Sequence, residues 1–464
     1  MGHRLPWLGS QVSPQPLSNP RWLGWSDDLA HRLKLQADDA TLALLSGSGA
    51  TLPWSPVAQV YSGHQFGGYT PRLGDGRGLH LGEREGLEVF LKGSGQTPYS
   101  RGGDGRAVLR SAVREFLASE ALFHLGIATT RALAVIGSDT PVRREELETG
   151  AITVRVSESH LRFGHFEYFL YTRQQPQLEA LIEDTIDHHF AGVRGESDAK
   201  LAWLVEVVER TARTVADWQA FGFCHGVLNS DNMSILGETF DYGPFAFMNR
   251  FDPGYICNHS DHDGRYAFDQ QAGIGLWNLN RLAITLTPWL DETAIRQALA
   301  RYEPVLVERY LARMGARLGL PDPTAEDLPL IAELLNRMAE GGLDYSNTLR
   351  EFAQVDPTSQ DTPLHRRFAG VAGFSDWWQR YQQRLGGVDG LADWQARRGE
   401  ANPALILRTH LAQEAISAAE QGDNDPLHRL HRALCRPYDP EPEFDDLRGD
   451  APSWSQQLTL SCSS

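Results

Sequence analysis

Apolar and polar positions alternate along this chain with two different periods, and the change of period divides it. Over Gly86–Lys92 the pattern has period two. Leu87, Val89 and Leu91 share one face, and Lys92 lies on the other face at the end of the run. That spacing predicts a half-buried strand. From Arg106 to Leu125 the period becomes helical, with Val108, Ala112 and Phe116 on one side; Asp104 is placed to cap this helix and Gly126 to stop it. A short helix is expected near Asp38–Leu45, and Ala151–Val156 reads as another strand. The strongest amphipathic helix runs from Leu201 to Phe221, with Leu204, Val205, Val208, Ala212 and Val215 on its face and Gly222 at its end. Met233–Leu236 and Thr239–Phe240 flank Gly237-Glu238, which predicts a tight hairpin. From Gln270 to Leu434 the chain reads as helical, with Trp277, Leu279, Leu286, Trp289, Leu306, Leu311, Ile331 and Leu335 as expected core. Residues 61–106 are Gly-rich and varied, which fits short strands joined by turns. The expected fold is therefore α+β: a β-rich, Gly-rich front half, a helical back half and a cleft between two lobes.

Composition adjusts this picture only slightly. The chain has 464 residues, 41% of them hydrophobic and 22% charged, so wholesale disorder is not expected. The net charge of −17 argues against a chain-wide basic surface for nucleic acid or anionic lipid. Four cysteines, Cys224, Cys257, Cys435 and Cys462, are too few for a secreted disulfide framework, and none form a CxxC pair. No run approaches a membrane span and the first residues lack a signal-peptide pattern, so a cytoplasmic, membrane-free protein is expected.

Several stretches carry candidate chemistry. Gly74-Asp75-Gly76-Arg77-Gly78 and Gly102-Gly103-Asp104-Gly105-Arg106 can expose backbone N–H groups to phosphate oxygens, although neither is a P-loop and either could simply turn the chain. Lysine is scarce, at Lys34, Lys92 and Lys200 only. Lys92 on a strand, with Glu115 on the following helix, could present an ammonium to a nucleotide; the plainer alternative is two solvated side chains. Arg155 and Arg162 could grip phosphate by charge-assisted hydrogen bonds, or make ordinary ion pairs.

The run from Phe223 to Gly243 is the most specific. Asn232 and Asp241 are hard oxygen ligands for Mg²⁺ or Mn²⁺, and Asp231 could accept a proton. Small-molecule kinases place Asn five residues after the catalytic Asp. Here the residue five before Asn232 is Val227, which cannot accept a proton. Either the protein binds a nucleotide without turning it over, or Asp231 has taken over the role. His259-Ser260-Asp261-His262-Asp263 looks like a metal cluster but reads more simply as a solvated loop. Cys462 in the tail is a candidate to pair with another cysteine, Cys257 foremost, the alternative being an inert tail thiol.

The runs Tyr61-Ser62-Gly63-His64-Gln65-Phe66-Gly67, Leu73–Gly78, Lys92–Arg101 and Gly103–Ala107 closely resemble the selenoprotein O (SelO) family, as do His225-Gly226-Val227 with Asp231-Asn232, Asn258–Asp261 and the terminal Ser461–Ser464. The resemblance spans nearly the whole chain. It implies a protein-kinase-like fold and transfer of AMP from ATP to hydroxyl side chains of proteins, with ATP inverted relative to kinases and pyrophosphate leaving. By motif, Lys92 would contact the phosphates and pair with Glu115. Gly74, Gly76, Arg77, Asp104 and Gly105 would line the nucleotide site. Arg155 and Arg162 would hold the distal phosphates, Asp231 would be the base, and Asn232 and Asp241 would bind the metal. Animal members carry selenocysteine at the cysteine position near the C-terminus, so a Cys257–Cys462 link between tail and helical half is a regulatory expectation. The domain reading is a lead-in over 1–60, an N-lobe over 61–180, a C-lobe over 181–436 and a tail over 437–464. A conventional phosphotransferase and a silent nucleotide-binding scaffold are the alternatives.

Overall fold

The computed structural model describes residues 4–48, 55–388, 390–439 and 441–460. Twelve strands are described: β1 (Gly9–Gln11), β2 (Arg21–Trp25), β3 (Val57–Gln59), β4 (Gly63–Gln65), β5 (Gly68–Thr70), β6 (Gly78–Arg84), β7 (Leu87–Lys92), β8 (Ala107–Val108), β9 (Arg131–Arg143), β10 (Leu147–Ser157), β11 (Phe223–Cys224) and β12 (Ala246–Phe247). Eight of them form one antiparallel sheet in the order β1-β3-β6-β7-β10-β9-β2, with β8 also on β10. Three of these strands come from the first 60 residues, so the boundary expected at residue 60 falls inside the sheet. A Pro- and Trp-rich composition hid them, because each strand is too short to show a period.

The sheet is covered on both faces, and this sorts the side chains of β7. Leu87, Val89 and Leu91 pack with Leu29, Leu33 and Leu45 from the helices α1 (Asp27–Leu33) and α2 (Asp39–Leu45). The other face meets α3 (Leu109–His124), where Ala132, Val135 and Ala151 join Phe116 in the main core. Strand alternation then sends Glu88, Phe90 and Lys92 to the α3 side. The helix start differs from the expected one. α3 begins at Leu109 behind Val108 with no side-chain cap. Asp104 instead closes a local turn by accepting from the Arg106 N–H at 2.9 Å, because β8 intervenes.

Three helices and a loop follow: α4 (Phe163–Tyr171), α5 (Gln175–His189) and α6 (Ala199–Phe221). Asp198 caps α6 by accepting from the Leu201 N–H, and Gly222 ends it in the left-handed conformation (φ 69°). After it comes α7 (Gln271–Ile284), and further helices run from Glu292–Leu299 to Asp425–Leu434. Leu279, Leu286, Leu311 and Ile331 are buried, as the periodicity predicts. Trp289, Leu306 and Leu335 are only partly buried against the core. Trp277 lies under two arginine side chains.

The hairpin expected at 233–240 does not form. Ser234 bridges Arg162 and Thr239 bridges Thr129, while the Ile235 N–H donates to Leu161 O at 2.9 Å. Distant backbone captured these short apolar runs, burying Met233 and Ile235, and Gly237 (φ 73°) only turns the chain between the two contacts. Among the described residues no helix is long and apolar enough to cross a membrane.

Candidate active site

A cavity of about 460 Å³ opens between the sheet and the loop that follows α6. Every residue that the resemblance assigns to the nucleotide, base or metal site lines it except Glu115, which stands behind. β7 delivers Lys92, whose Nζ lies 3.1 Å from Glu115 Oε1 on α3 and 2.5 Å from Asp241 Oδ1. β10 delivers Arg155, which pairs with the same Glu115 oxygen and donates to Thr130 Oγ1. One helix carboxylate thus fixes two cations on adjacent strands. The register accounts for it: Thr153 is opposite Lys92 and Arg155 opposite Phe90, so Lys92 and Arg155 are close diagonal neighbours.

Arg162 sits between the carboxylates of the cavity. Its Nη1 donates to Asp231 O at 3.0 Å and lies 3.6 Å from Asp241 Oδ2, and its Nη2 lies 4.0 Å from Asp75 Oδ1. The guanidinium lies over the rings of Tyr61 and Phe240, at 4.4 and 4.2 Å. Burial pulls its pKa down, but these acidic neighbours and Tyr61 raise it above the usual value. Behind it a buried polar chain continues. Asp75 Oδ2 accepts from the Gln59 N–H at 2.7 Å and faces His80 Nε2 at 3.5 Å; Glu88 Oε2 accepts from the His160 N–H at 2.8 Å. His80, Glu88 and His160 are the one three-membered His/Cys/Asp/Glu group among the described residues close enough to hold an ion. The His259–Asp263 run makes no such group; Asp261 accepts from the Arg265 and Tyr266 N–H groups.

The two aspartates of the loop have opposite electrostatics. Burial would raise Asp241, but Lys92, Arg162 and Arg77 hold it well below the usual carboxylate range. Asp241 also adopts φ 58°, a conformation strained for a non-glycine residue. Burial pushes Asp231 up to about 7. Its Oδ2 accepts only from Gln65 Nε2, at 3.3 Å, and its buried Oδ1 has no hydrogen-bond partner. Asn232 Nδ2 donates to Val227 O at 3.0 Å, which leaves the Asn232 carbonyl for another partner. Asn232 and Asp241 are therefore the hard oxygen donors at which a divalent cation could be held, beside the orphaned Asp231 oxygen. Val227 is buried in the cavity wall.

Glycine permits two of the close approaches. A Cβ on Gly63 would come 2.3 Å from Asp231 Oδ1, and one on Gly105 (φ 67°) would come 2.1 Å from Gly95 O. Gly74, Gly76, Arg77 and Gly105 line the cavity. Asp104 lies on the rim in a two-point ion pair with Arg144 at 2.7 and 3.1 Å. Sequence reasoning gave no role to Gln65, Asp75, Asn229 or Arg144, all of which line the cavity. Gln65 and Asp75 lie in the Gly-rich runs and were open to assignment. Arg144 arrives from the β9–β10 turn, where nothing local marks it.

The expected Cys257–Cys462 link involves a residue outside those described. Cys257 is buried with its Sγ 3.5 Å from that of Cys224, a contact rather than a bond, and Cys224, Cys257 and Cys435 are free among the described residues.

Comparison with known proteins gives this arrangement its class. Residues 8–435 match the family described as Protein adenylyltransferase SelO. A relative from Shewanella frigidimarina (strain NCIMB 400), named Protein nucleotidyltransferase YdiU, is 52% identical over 478 residues, covering 98% of this chain and 97% of its own. One of the same name from Shewanella sp. (strain MR-7) is 53% identical over 475 residues, covering 99% and 98%. The protein is a nucleotidyltransferase. The chain belongs to the SelO family, and in its loop Val227 stands five residues before Asn232.

Proposed function

We propose that this protein transfers AMP from ATP to Ser, Thr or Tyr hydroxyls of other proteins in the cytoplasm, using a kinase-like two-lobed fold in which ATP lies inverted relative to kinases. The observation that carries this reading is the state of Asp231. Four aspartates line the cavity, and three are committed: Asp75 to Gln59, His80 and Arg162, Asp104 to Arg144, and Asp241 to Lys92 and Arg162. Asp231 alone keeps a buried oxygen without a partner and a pKa near neutrality, which suits a general base.

In this reading Lys92, Arg155 and Arg162 bind the phosphates, with Arg77 and the glycines lining the same cavity. Glu115 keeps Lys92 and Arg155 extended. Asp231 takes the proton from the acceptor hydroxyl while that oxygen bonds to the α-phosphorus. The bond from the α-phosphorus to the bridging oxygen breaks, and pyrophosphate leaves. The cationic side chains stabilise the charge that develops on both fragments. A Mg²⁺ or Mn²⁺ ion on Asn232 and Asp241 would supply further charge neutralisation when bound. Inversion of the nucleotide fits the loop, because the base then lies four residues beyond Val227, where the displaced α-phosphorus would need it.

Incubation with ATP labelled at the α- or the γ-phosphate tests this. Protein label from the α position alone is expected. Label from the γ position alone would make the protein a conventional phosphotransferase, and label from neither would make it a binding scaffold.

A further inference from the structure

The β4–β5 hairpin closes over Asp231 and carries an aromatic surface on its outward side. The His64 N–H donates to Ser230 Oγ at 2.7 Å, and the Phe66 N–H reaches Asn229 Oδ1 at 3.2 Å and Tyr266 Oη at 2.9 Å. The hairpin is thereby fixed to the loop that holds the base. Of the eight large hydrophobic side chains exposed among the described residues, three lie on it or against it: Phe66, Tyr69 and Tyr171. Tyr171 and Tyr69 are 4.6 Å apart between ring centroids, Tyr69 and His64 5.2 Å, and His64 and Trp277 5.4 Å. A shelf of rings results, exposed at Phe66, Tyr69 and Tyr171 and half-exposed at Trp277, with the His64 ring buried between Tyr69 and Trp277.

At its far end the guanidinium groups of Arg265 and Arg281 lie 4.8 and 5.0 Å from the Trp277 ring centroid. Both are half-exposed, and neither pairs with a carboxylate among the described residues. The buried Nε of each is also unpartnered. Many arginines of this acidic chain share carboxylates, as Arg309 and Arg313 do on Asp217. A Cβ on Gly67 would come 3.4 Å from the Arg265 guanidinium carbon, so the arginine packs directly on the hairpin turn.

We propose that this shelf docks the protein acceptor and selects segments bearing Asp or Glu near the hydroxyl to be modified. This rests on the reading of the site as one that modifies protein hydroxyls. An acceptor side chain reaching Asp231 must lay its neighbouring residues outside the cavity, and the shelf adjoins the hairpin residue, Gln65, that contacts that base. Rigid rings offer contact area at little entropic cost and with little sequence demand. Two unpaired guanidiniums supply the selectivity, because each matches a carboxylate in a two-point contact. The net charge of −17 disfavours acidic chains over the surface at large, and this patch is a local exception to it.

Fluorescein-tagged peptides with a central Ser, flanked by Asp and Glu, by Gly, or by Lys, are titrated with the full chain without nucleotide. The acidic peptide is expected to bind on the order of tenfold tighter than the neutral one, with an affinity that falls as salt rises. Arg265→Gln with Arg281→Gln should abolish that preference, and Arg265→Glu with Arg281→Glu should reverse it toward the Lys peptide. ATP affinity and the unfolding midpoint should stay unchanged; the milder Gln pair serves if charge reversal unfolds the protein. Equal binding of acidic and neutral peptides, or an unchanged preference in the Gln pair, overturns the inference. Adding α-labelled ATP separates the two readings. An acidic preference in binding with no label on any peptide or protein supports the shelf and counts against hydroxyl transfer. Label without charge preference sinks the shelf alone.

Discussion

Lys92 contacts Glu115 and Asp241 at once, while Asp231 keeps an oxygen to itself, and this asymmetry sets what substitutions should do. Asp231→Asn keeps the shape and removes the proton acceptor. Transfer is expected to fall by about 10²–10⁴ with nucleotide affinity largely kept, measured as initial rate against calorimetric binding of ATP. A normal rate in that variant would remove Asp231 from the base role. Lys92→Ala leaves Asp241 with Arg162 and Glu115 with Arg155. It is expected to lose both binding and transfer and to cost about 2 kcal/mol of stability, because charge-assisted hydrogen bonds are lost but neither carboxylate is left without a cation. Tight ATP binding by that variant would exclude the phosphate contact. These residue types and their spacing were legible in the sequence. The fact that Glu115 serves Arg155 as well as Lys92 was not, because it depends on strand register.

The element that best shows a gap between pattern and structure is the β4–β5 hairpin. Its sequence, Gly63-His64-Gln65-Phe66-Gly67-Gly68-Tyr69-Thr70, marks a turn with strands on either side but says nothing of what it lies against. In the fold its backbone hydrogen-bonds to the Asn229–Ser230 stretch, and Gly63 leaves no room for a side chain against Asp231. Gly63→Ala is therefore expected to displace the hairpin or the carboxylate. Transfer should fall at least tenfold, beyond the few tenths of a kcal/mol that propensity alone would give. Parallel rate and unfolding measurements would show it, and an unaltered rate would mean that the contact is slack. The misread hairpin at 233–240 carries the same lesson in reverse. A local period was present, but Leu161 and Ala128 offered its backbone better partners, 74 and 111 residues away.

At the scale of the whole molecule, one network, buried at Glu120 and Arg131 and open at Asp28, ties distant parts of the chain together. Arg131 on β9 donates to Glu120 on α3 at 2.9 Å, to Asp28 on α1 at 2.8 and 2.9 Å, and to Ser26 Oγ at 2.9 Å. From the last helix, Asp425–Leu434, His431 Nε2 lies 3.8 Å from Glu120. Burial would raise Asp28 and Glu120, but Arg131, with Ser26 at the first and His431 at the second, holds both below their usual values. A lowered folded-state pKa stabilises above the unfolded-state value, near 4, and that contribution fades as pH falls toward the folded-state value. Arg131→Ala is expected to cost about 3–5 kcal/mol at pH 7, and the difference from the parent chain should shrink on acidification to about pH 3. Urea unfolding at both pH values measures it, and a constant difference would show that the carboxylates do not titrate through this pair. The sequence by itself determined the order of strand-rich and helical halves, the chemistry-bearing residues and, through long motifs, the family, because periodicity and spacing are local properties. Only the tertiary structure decided which strands of the first 60 residues join the sheet, which carboxylate stays unpaired, and that two arginines without carboxylate partners flank Trp277 at the end of the ring shelf. Register, burial and the competition among charges for partners arise only when distant segments meet.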